Sequence, residues 1–491
     1  MNSKIINVFL IINLAIYTIT IFLSLDKPFW FDEVASIADS ENIFHIGLIE
    51  TLKKTLHPPL YAYLIGFFNP LSEITNTLNE HHFYLLRITN FLGLIPLLYA
   101  FKILKKNYPK INISLISLLL LSSYYFFYYS LELRMYFLIL CFSFLLHSLS
   151  LISKLNNFEK VIFFISVLIV SLFHIYGFMI SLSIMAVQIT INIYKKDFKK
   201  NKFYLTLILT LIIIFLILFY FSIFLSNNIN HIGWLSFQKW YYRVFLEWSA
   251  PSVIFLIMIT LSIWYRYSLK ELFNQNYSKK FSIDLDIVKI TFPAVVLLII
   301  SALISLRIPI VTHRNLIVIF PSAVLLAGYL YTKFSNYKMN SALMVLFLIF
   351  ITIYNFNSFK NTKNSEENIN WVIKQSFTEN CQGVPLYFND NGKQMWEKIT
   401  KHSIKMYAQY DRPIKRLSAI YSKDKGNLTN LKKIIIDNKE CDVFISSFHY
   451  RGIEKHVKYL NNFGMNLNIE YAPRVKMLDY GKSGVITKQI R

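Results

Sequence analysis

The chain is built from a succession of apolar runs, each about long enough to cross a lipid bilayer as a helix. A crossing takes roughly 20 apolar residues, and the first run extends from Ile5 to Leu25. Further spans are predicted at about 83–101, 112–130, 135–153, 161–175, 177–194, 203–225, 251–268, 289–306, 315–332 and 340–356. Lipid offers the backbone no hydrogen-bond partners, and helices of this length satisfy it internally. We therefore predict a mainly α, polytopic transmembrane bundle of about eleven spans.

The first span lacks an Ala-x-Ala-like cleavage site and is predicted to be retained. Hydrophobic residues make up 55% of the chain and aromatic residues 17%, more than a soluble chain carries. The net charge of +23 sits in short Lys and Arg clusters between the apolar runs, a pattern typical of cytoplasmic loops. A nucleic-acid-binding protein carries a basic stripe on a polar surface instead. The expected partners therefore include membrane lipids and no nucleic acid.

The stretch 59–71 decides the orientation of everything after it. It is only about a dozen residues long, too short to cross, so we predict an interfacial helix there. The basic clusters then all fall on the cytoplasmic side, at 102–110, 195–202, 266–280 and 333–338. Polar residues unusual for a membrane protein collect on the outer side, in the first outer loop 26–58, the turns at 132–136, 174 and 307–314, the loop 226–250 and the segment after about 357.

The first outer loop begins with an acidic pair, Asp32 and Glu33, next to Phe29, Trp30 and Phe31. Two adjacent carboxylates at the water–lipid boundary can serve as a general base and as a hydrogen-bond or metal partner, because a partly desolvated carboxylate accepts a proton more readily. The alternative is that Asp32 caps a short helix.

The loop ends in His57-Pro58-Pro59, which opens the interfacial helix. Prolines fit a helix start, and the free N–H groups there can bind a phosphate. His57 is therefore a candidate phosphate contact or metal ligand. The alternative is an ordinary structural break.

Ionisable residues recur at three later helix ends. Glu132, Arg134 and Tyr136 lie before one span, where such groups usually face a polar cavity or pair with each other. The alternative is an interfacial ion pair with Arg134 snorkelling to water. His174, followed by Tyr176 in His-x-Tyr-Gly, is a site residue or a packing residue, and Arg314 is a site residue or an interface anchor.

Taken in order, these motifs resemble the bacterial members of glycosyltransferase family 39. The resemblance rests on the Asp-Glu pair, His-Pro-Pro, Glu-x-Arg-Met-Tyr, His-x-Tyr-Gly, and a late Arg314 followed by a helix with Pro321. Protein O-mannosyltransferases and, more distantly, lipid A aminoarabinose transferases are related, and all have the GT-C fold. The likeness covers about residues 1–335, and its most specific parts are the Asp-Glu and Arg-Met-Tyr motifs. It implies a GT-C transmembrane catalytic module over residues 1–356.

The resemblance also implies a chemistry. The enzyme would take a sugar, mannose-like or another hexose or pentose, from a polyprenyl-phosphate donor and pass it with inversion to a hydroxyl of a glycan, lipid or protein acceptor. This would happen at the outer face of the plasma membrane, where nucleotide sugars are absent. Asp32 would be the general base, and Glu33 would orient the acceptor or a metal. Phosphate charge would be stabilised by His57, Arg134 and Arg314, with support from Glu132, Tyr136, His174 and Tyr176.

Some GT-C relatives use a divalent cation. The sequence shows no ligand set specific enough to assign one, and His57 with His174 is the pair to test.

The last segment, 357–491, has no apolar runs and is predicted to be a small extracytoplasmic α/β domain. Strands are predicted at 384–388, 433–437, 442–446, 467–471 and 484–487. Cys381 and Cys441 fall in this segment and are a candidate disulfide if it lies outside the cytoplasm. Cys141 lies in an apolar run and is expected to be a buried small hydrophobe.

Two other functions are compatible with many spans and a polar cavity. A polysaccharide polymerase or ligase also uses polyprenyl-linked sugars, but its essential groups are expected in a large late outer loop, whereas the acids here cluster in the first. A lipid-linked substrate transporter or flippase is expected to carry ionisable residues at mid-membrane in two corresponding halves. Here they are predicted to gather at one face of the membrane, and the sequence has no internal repeat.

Overall fold

The computed structural model describes most of the chain up to residue 362 and parts of the C-terminal segment. The described residues are 3–25, 32–33, 36–37, 39–40, 43, 47–48, 50, 58–74, 86–219, 240–273, 284–306, 311–333, 341–362, 386–388, 419–421, 436, 443–445, 457–458, 461–462, 464–471 and 484–488.

The described residues are mainly helical, as predicted. The α-helices are α1 (Ser3–Ser24), α2 (Leu60–Ile74), α3 (Leu94–Asn107), α4 (Ile113–Leu121), α5 (Tyr124–Ser130), α6 (Tyr136–Ser150), α7 (Asn157–Phe173), α8 (Ile175–Tyr194), α9 (Asn201–Phe219), α10 (Trp240–Trp248), α11 (Ala250–Phe273), α12 (Leu285–Ser305), α13 (Phe320–Lys333) and α14 (Ser341–Thr362). Short 3₁₀ helices cover Leu86–Gly93, Phe198–Lys200 and Asn315–Ile319.

Six of the described helical segments are long and apolar enough to cross a membrane, or seven if the bent pair α4 and α5 is one span. The protein is therefore a multi-pass membrane protein. A helix occurs at each of the predicted span positions, but some are short, and the count of about eleven stays a prediction. The stretch predicted to lie along the interface is helical as α2.

The span predicted at 112–130 is not one straight helix. It is broken at Ser122 and Ser123, and α4 and α5 are bent by 65°. The Ser123 hydroxyl accepts a hydrogen bond from the Phe126 N–H at 3.1 Å, so it caps the start of a new helix. The bend buries every residue of α5 inside the protein.

The core of the bundle is built around α6. Every α6 residue except Phe142 is buried, and the helix packs against α3, α7, α8 and α13. Buried Cys141 lies in α6, as expected, and is the one free cysteine among the described residues. Cys381 and Cys441 lie outside the described residues.

The chain divides into two compact units. The first comprises 1–22, 42–71 and 85–359, and the second comprises 23–41, 72–84 and 360–491. The second unit therefore includes the beginning of the first outer loop, with Asp32 and Glu33, in addition to the C-terminal segment. The predicted boundary at 356/357 stays a prediction.

The second unit contains a five-stranded sheet. Its strands are β1 (Leu386–Phe388), β2 (Ala419–Tyr421), β3 (Val443–Ile445), β4 (Leu467–Tyr471) and β5 (Gly484–Lys488), in the order β2-β1-β3-β5-β4. β1 is parallel to β2 and β3, whereas β5 is antiparallel to β3 and β4. Four of these strands were predicted; β2 was missed. The strand predicted at 433–437 is wrong at Ile436, which is helical.

Candidate functional site

Three helical segments of the first unit begin at one end of the bundle. α6 begins at Tyr136, α8 begins at Ile175 after His174, and the 3₁₀ helix Asn315–Ile319 begins after Arg314. A ring contact joins the first two starts, since the centroids of Tyr136 and His174 are 5.9 Å apart, and Tyr136 also lies 4.8 Å from Tyr129 of α5. The sequence motifs at the starts of α6 and α8 therefore share one place.

The turn between α5 and α6 carries the ionisable residues of this end. Glu132 is fully buried and Arg134 is 8% exposed. The Arg134 guanidinium lies 5.7 Å from the centre of the Tyr136 ring, a cation–π distance. This burial argues against an Arg134 that snorkels to water, and indicates a charge held inside the protein.

Arg314 lies near the same place, directly before the 3₁₀ helix Asn315–Ile319. Its charge and that of Glu132 both reach the hydroxyl of Tyr129 electrostatically. The neighbouring His313 is anchored, because its carbonyl accepts a hydrogen bond from the Tyr125 hydroxyl at 2.8 Å. Arg314 therefore lies near Tyr129, at the end of α5.

His174 has a local structural task in addition to its place in the cluster. It has extended backbone conformation between α7 and α8, and its Nδ1 accepts a hydrogen bond from the Tyr176 N–H at 3.1 Å. The ring proton is thereby assigned to Nε2 when the imidazole is neutral. Tyr176 is fully buried, with its ring 6.0 Å from that of His174.

An aromatic cluster beside these residues was missed by the sequence reasoning. Trp248, at the end of α10, packs against rings from α5 and against His313. The centroid distances are 4.5 Å to Tyr124, 5.1 Å to Tyr125, 5.4 Å to Tyr128, 5.8 Å to Tyr129 and 4.8 Å to His313. The aromatic run Tyr124–Tyr129 was visible in the sequence. Its contact with Trp248, more than a hundred residues later at the end of α10, was not.

Two polar residues of the 3₁₀ helix Leu86–Gly93 were also missed. Arg87 and Asn90 are both fully buried. The signal for Arg87 was present, because an ionisable residue inside a predicted span marks a functional site by default. Asn90 contacts the α5–α6 turn directly, since its side-chain amide donates to the Glu132 carbonyl.

The remaining predicted site residues belong to the second unit or lie outside the described part of the chain. Asp32 and Glu33 belong to the second unit and have helical backbone conformation. The Asp32 carbonyl accepts a hydrogen bond from the Ser36 hydroxyl at 3.0 Å, and Glu33 is fully buried. His57 lies outside the described residues. Within the described part of the chain, no group of three or more His, Cys, Asp or Glu residues could hold a metal ion.

Comparison with solved structures gives a likeness over nearly the whole chain. The chain is similar in structure to ArnT from Cupriavidus metallidurans, of which two crystal structures match, one apo and one bound to undecaprenyl phosphate. Each match covers 99% of this chain and 98% of the ArnT chain, at 10% sequence identity. The TM-scores are 0.53 for the apo form and 0.51 for the bound form. ArnT is a lipid A aminoarabinose transferase of GT-C fold.

The chain has the GT-C fold. This confirms the fold implied by the motifs, and it extends the likeness beyond residue 335, where the sequence resemblance ended. No protein-family model and no curated protein matches the sequence. The GT-C fold was therefore recognisable from a few short motifs and from the structure.

Proposed function

We propose that this protein is a membrane glycosyltransferase of GT-C type that takes its sugar from a polyprenyl-phosphate donor. The observation that carries the proposal is the shared end of α6, α8 and the 3₁₀ helix Asn315–Ile319, which gathers Arg134 and Arg314. ArnT, the GT-C protein of similar structure, was crystallised with undecaprenyl phosphate, which supports the same class of lipid carrier.

The chemistry of that end suits a phosphate leaving group. Helix starts present free N–H groups and the positive end of the helix dipole, which favour anions. Arg134 and Arg314 add two permanent positive charges, and arginine binds phosphate through several N–H donors at once. In a site with little water, pre-placed cations stabilise the charge that develops on the phosphate as the glycosyl bond breaks.

The proposal puts this site on the outer face of the plasma membrane. α6, α8 and α13 run in the same direction, from the site toward an end rich in lysine. At that end Lys289 donates a hydrogen bond to the Leu151 carbonyl at 3.1 Å, and α8 is followed directly by Lys195 and Lys196. The positive-inside rule favours a cytoplasmic lysine-rich end, which leaves the arginine end outside.

The proposed reaction is a single inverting displacement. The Asp32 carboxylate takes the proton of the acceptor hydroxyl, and the hydroxyl oxygen attacks the anomeric carbon from the face opposite the phosphate. The bond between that carbon and the phosphate oxygen breaks, and the electron pair leaves with the polyprenyl phosphate. Glu33 orients the acceptor, and His57 contributes to the phosphate site. These two roles and that of Asp32 follow from the family resemblance.

The test is transferase activity of the purified full-length protein in lipid nanodiscs. The donors are synthetic polyprenyl-phosphate sugars, including mannose and aminoarabinose, and the acceptors are lipid A, glycan fragments and hydroxyl-bearing peptides. Mass spectrometry of envelope glycans from a strain lacking the gene identifies the natural pair. We expect released polyprenyl phosphate and an inverted product.

Matched variants separate the two proposed roles. Asp32→Asn should lower kcat by about 10³-fold while donor binding persists, because only the proton acceptor is lost. Arg134→Lys keeps the charge but changes its geometry, and should lower kcat/KM by about tenfold or more. Full activity of Asp32→Asn would remove Asp32 from the mechanism, and full activity of an Arg134→Ala and Arg314→Ala double variant would contradict the phosphate site.

A further inference from the structure

Asn90 links three parts of the first unit through a single buried amide. Its Oδ1 accepts a hydrogen bond from the Tyr61 hydroxyl at 3.2 Å, and its Nδ2 donates to the Tyr129 carbonyl, also at 3.2 Å. Nδ2 donates in addition to the Glu132 carbonyl. An amide nitrogen has two hydrogens, so both donors are used. The side chain is 0% exposed.

The segment that Asn90 holds is an irregular turn. Between α5 and α6 the Arg134 N–H donates to the Glu132 carbonyl at 2.7 Å, an i to i+2 bond that closes a tight turn. Carbonyls at the end of a helix lack partners within the helix. Asn90 bonds a carbonyl near the end of α5 and the same Glu132 carbonyl that closes the turn. The backbone that presents Glu132 and Arg134 is therefore held by one side chain from outside the turn.

The hydrogen-bond partner of Asn90 in α2 is Tyr61. Tyr61 lies in the first turn of α2, just after Pro58 and Pro59, and its ring packs against Phe173 at 6.2 Å. Phe173 directly precedes His174. Residues three apart eclipse in a 3₁₀ helix, so Arg87 stands on the same face of its helix as Asn90. The amide thus links α2 to the arginine-bearing turn, and Tyr61 extends the contact to the residue before His174.

We propose that Asn90 is a positioning residue: it holds the turn 129–134 so that Arg134 is oriented toward the phosphate of the sugar donor. This inference rests on the proposed function. Without the two donated bonds, buried carbonyls lose their partners and the turn relaxes. A displacement of about 1 Å in a positioned group can lower catalysis by about 100-fold.

The test compares two Asn90 variants and one control in the full-length protein. Asn90→Leu keeps the branched shape and the number of heavy atoms and removes all three bonds. Asn90→Asp keeps the acceptor for Tyr61 but loses the donors while ionised, and regains one O–H donor when protonated. Tyr61→Phe removes only the bond from α2. Donor KM, kcat and the folded fraction in detergent are measured for each, at several pH values.

Asn90→Leu should lower kcat per folded protein by about 100-fold, whereas Tyr61→Phe should cause a much smaller loss. Asn90→Asp should recover activity relative to the parent as pH falls from about 8 to about 6, because burial favours the protonated acid. Tyr61, Tyr129 and Glu132 bond the Asn90 side chain, Arg134 lies in the same turn as Glu132, and Arg87 lies on the same helix face as Asn90. The helix α6, which packs against this 3₁₀ helix, carries the titratable residues Tyr136, Cys141 and His147. A structural loss alone would lower the folded fraction and would not produce this acid recovery.

Parent-like kcat in Asn90→Leu, or an Asn90→Asp pH profile parallel to that of the parent, would overturn the inference. If Asn90→Leu fails to fold, the Asn90→Asp profile decides. If the parent protein is active and both Asn90 variants have the same activity, the positioning role is refuted but the proposed function is not. A parent with no transferase activity refutes the proposed function, and the positioning role falls with it.

Discussion

Gly177 shows how one missing side chain shapes the candidate site. A Cβ at this position would lie 2.0 Å from the Val170 carbonyl oxygen, far closer than van der Waals contact. α7 and α8 therefore meet backbone to backbone at His174, and only glycine permits this approach. Glycine is therefore required at position 177 for steric reasons. The position of His174 in the same motif depends on this close approach of the two helices.

We expect Gly177→Ala to destabilise the protein by about 2–3 kcal/mol or more and to lower activity, because α8 must move away from α7 and take His174 with it. The measurement is thermal unfolding in detergent together with transferase activity per folded protein. Gly328→Ala is the matched control. Its Cβ would meet Ile116 Cγ1 at 2.6 Å and Cδ1 at 2.8 Å, and a side chain can rotate away where a backbone carbonyl cannot.

A smaller loss is therefore expected for Gly328→Ala, without a selective loss of activity. Equal effects of the two substitutions would mean that the close approach at Gly177 has no special role.

At the scale of elements, α1 and α14 are joined by a pair of amides. Asn13 Nδ2 donates to Thr352 Oγ1 at 3.1 Å, and Asn355 Nδ2 donates to Asn13 Oδ1. Both asparagines are fully buried. Polar contacts between membrane helices are worth about 0.6–2 kcal/mol, and losing one partner leaves the other without its bond in an apolar place.

We expect Asn13→Leu and Asn355→Leu to lower the free energy of unfolding each, and the double variant to lose less than the sum. The expected coupling is about 1 kcal/mol. A double-mutant cycle by chemical unfolding in detergent measures it. Additive losses would show that the amides act independently.

A second link between elements lies at the lysine-rich end. The Asp284 carboxylate caps α12, because it accepts a hydrogen bond from the Asp286 N–H at 3.0 Å. It also accepts hydrogen bonds from the Tyr329 hydroxyl of α13, at 3.0 Å, and from the Lys333 ammonium group. Burial raises the pKa of Asp284, but the hydrogen bonds from Lys333, the Asp286 amide and Tyr329 outweigh it and hold this pKa below its usual range.

The sign of the pH effect follows from that direction. A carboxyl whose pKa is lower in the folded protein contributes stability above its unfolded pKa, about 3.9, and loses it as pH falls through the folded pKa. We expect Asp284→Asn to be less stable than the parent near neutral pH, by less than about 1 kcal/mol because the group is partly exposed.

Thermal unfolding of both proteins in detergent, from about pH 7 to about pH 3, tests this. The difference between them should shrink as the solution becomes acid. A difference that is constant over the whole range would assign the effect to packing and not to charge.

At the scale of the whole molecule, three helices that run in the same direction have polar and ionisable residues before their first turns and lysines near their last turns. α6, α8 and α13 begin near Glu132, His174 and Arg314 and end among lysines. The orientation of the site in the membrane therefore follows from the orientation of these helices as a set.

Single-cysteine labelling in intact cells tests the orientation, in a variant whose three natural cysteines are replaced by Ala. Arg243→Cys lies on α10, near Trp248, and its native side chain is 81% exposed. A membrane-impermeant maleimide should label it in intact cells. Lys199→Cys, in the exposed lysine cluster after α8, should react only after permeabilisation. The reverse pattern would contradict an outward-facing site.

The helices and their order were within reach of the sequence, because apolar length is a local property that lipid imposes on each segment separately. The family motifs were readable for a related reason: the residues of each motif are adjacent in the chain. Even so, local patterns failed at short elements. Ser122 and Ser123 broke a span that apolar content alone made continuous, and β2, only three residues long, carried too little signal.

Only the tertiary structure revealed which distant residues meet. Trp248 reaches Tyr125, the Tyr125 hydroxyl reaches the His313 carbonyl, and Asn90 reaches the turn before α6, over separations of 123, 188 and 42 residues for the three pairs. No local pattern encodes such contacts, because they depend on how helices of similar composition pack side by side in three dimensions. Composition and spacing make a residue a candidate for the site, and packing selects its neighbours.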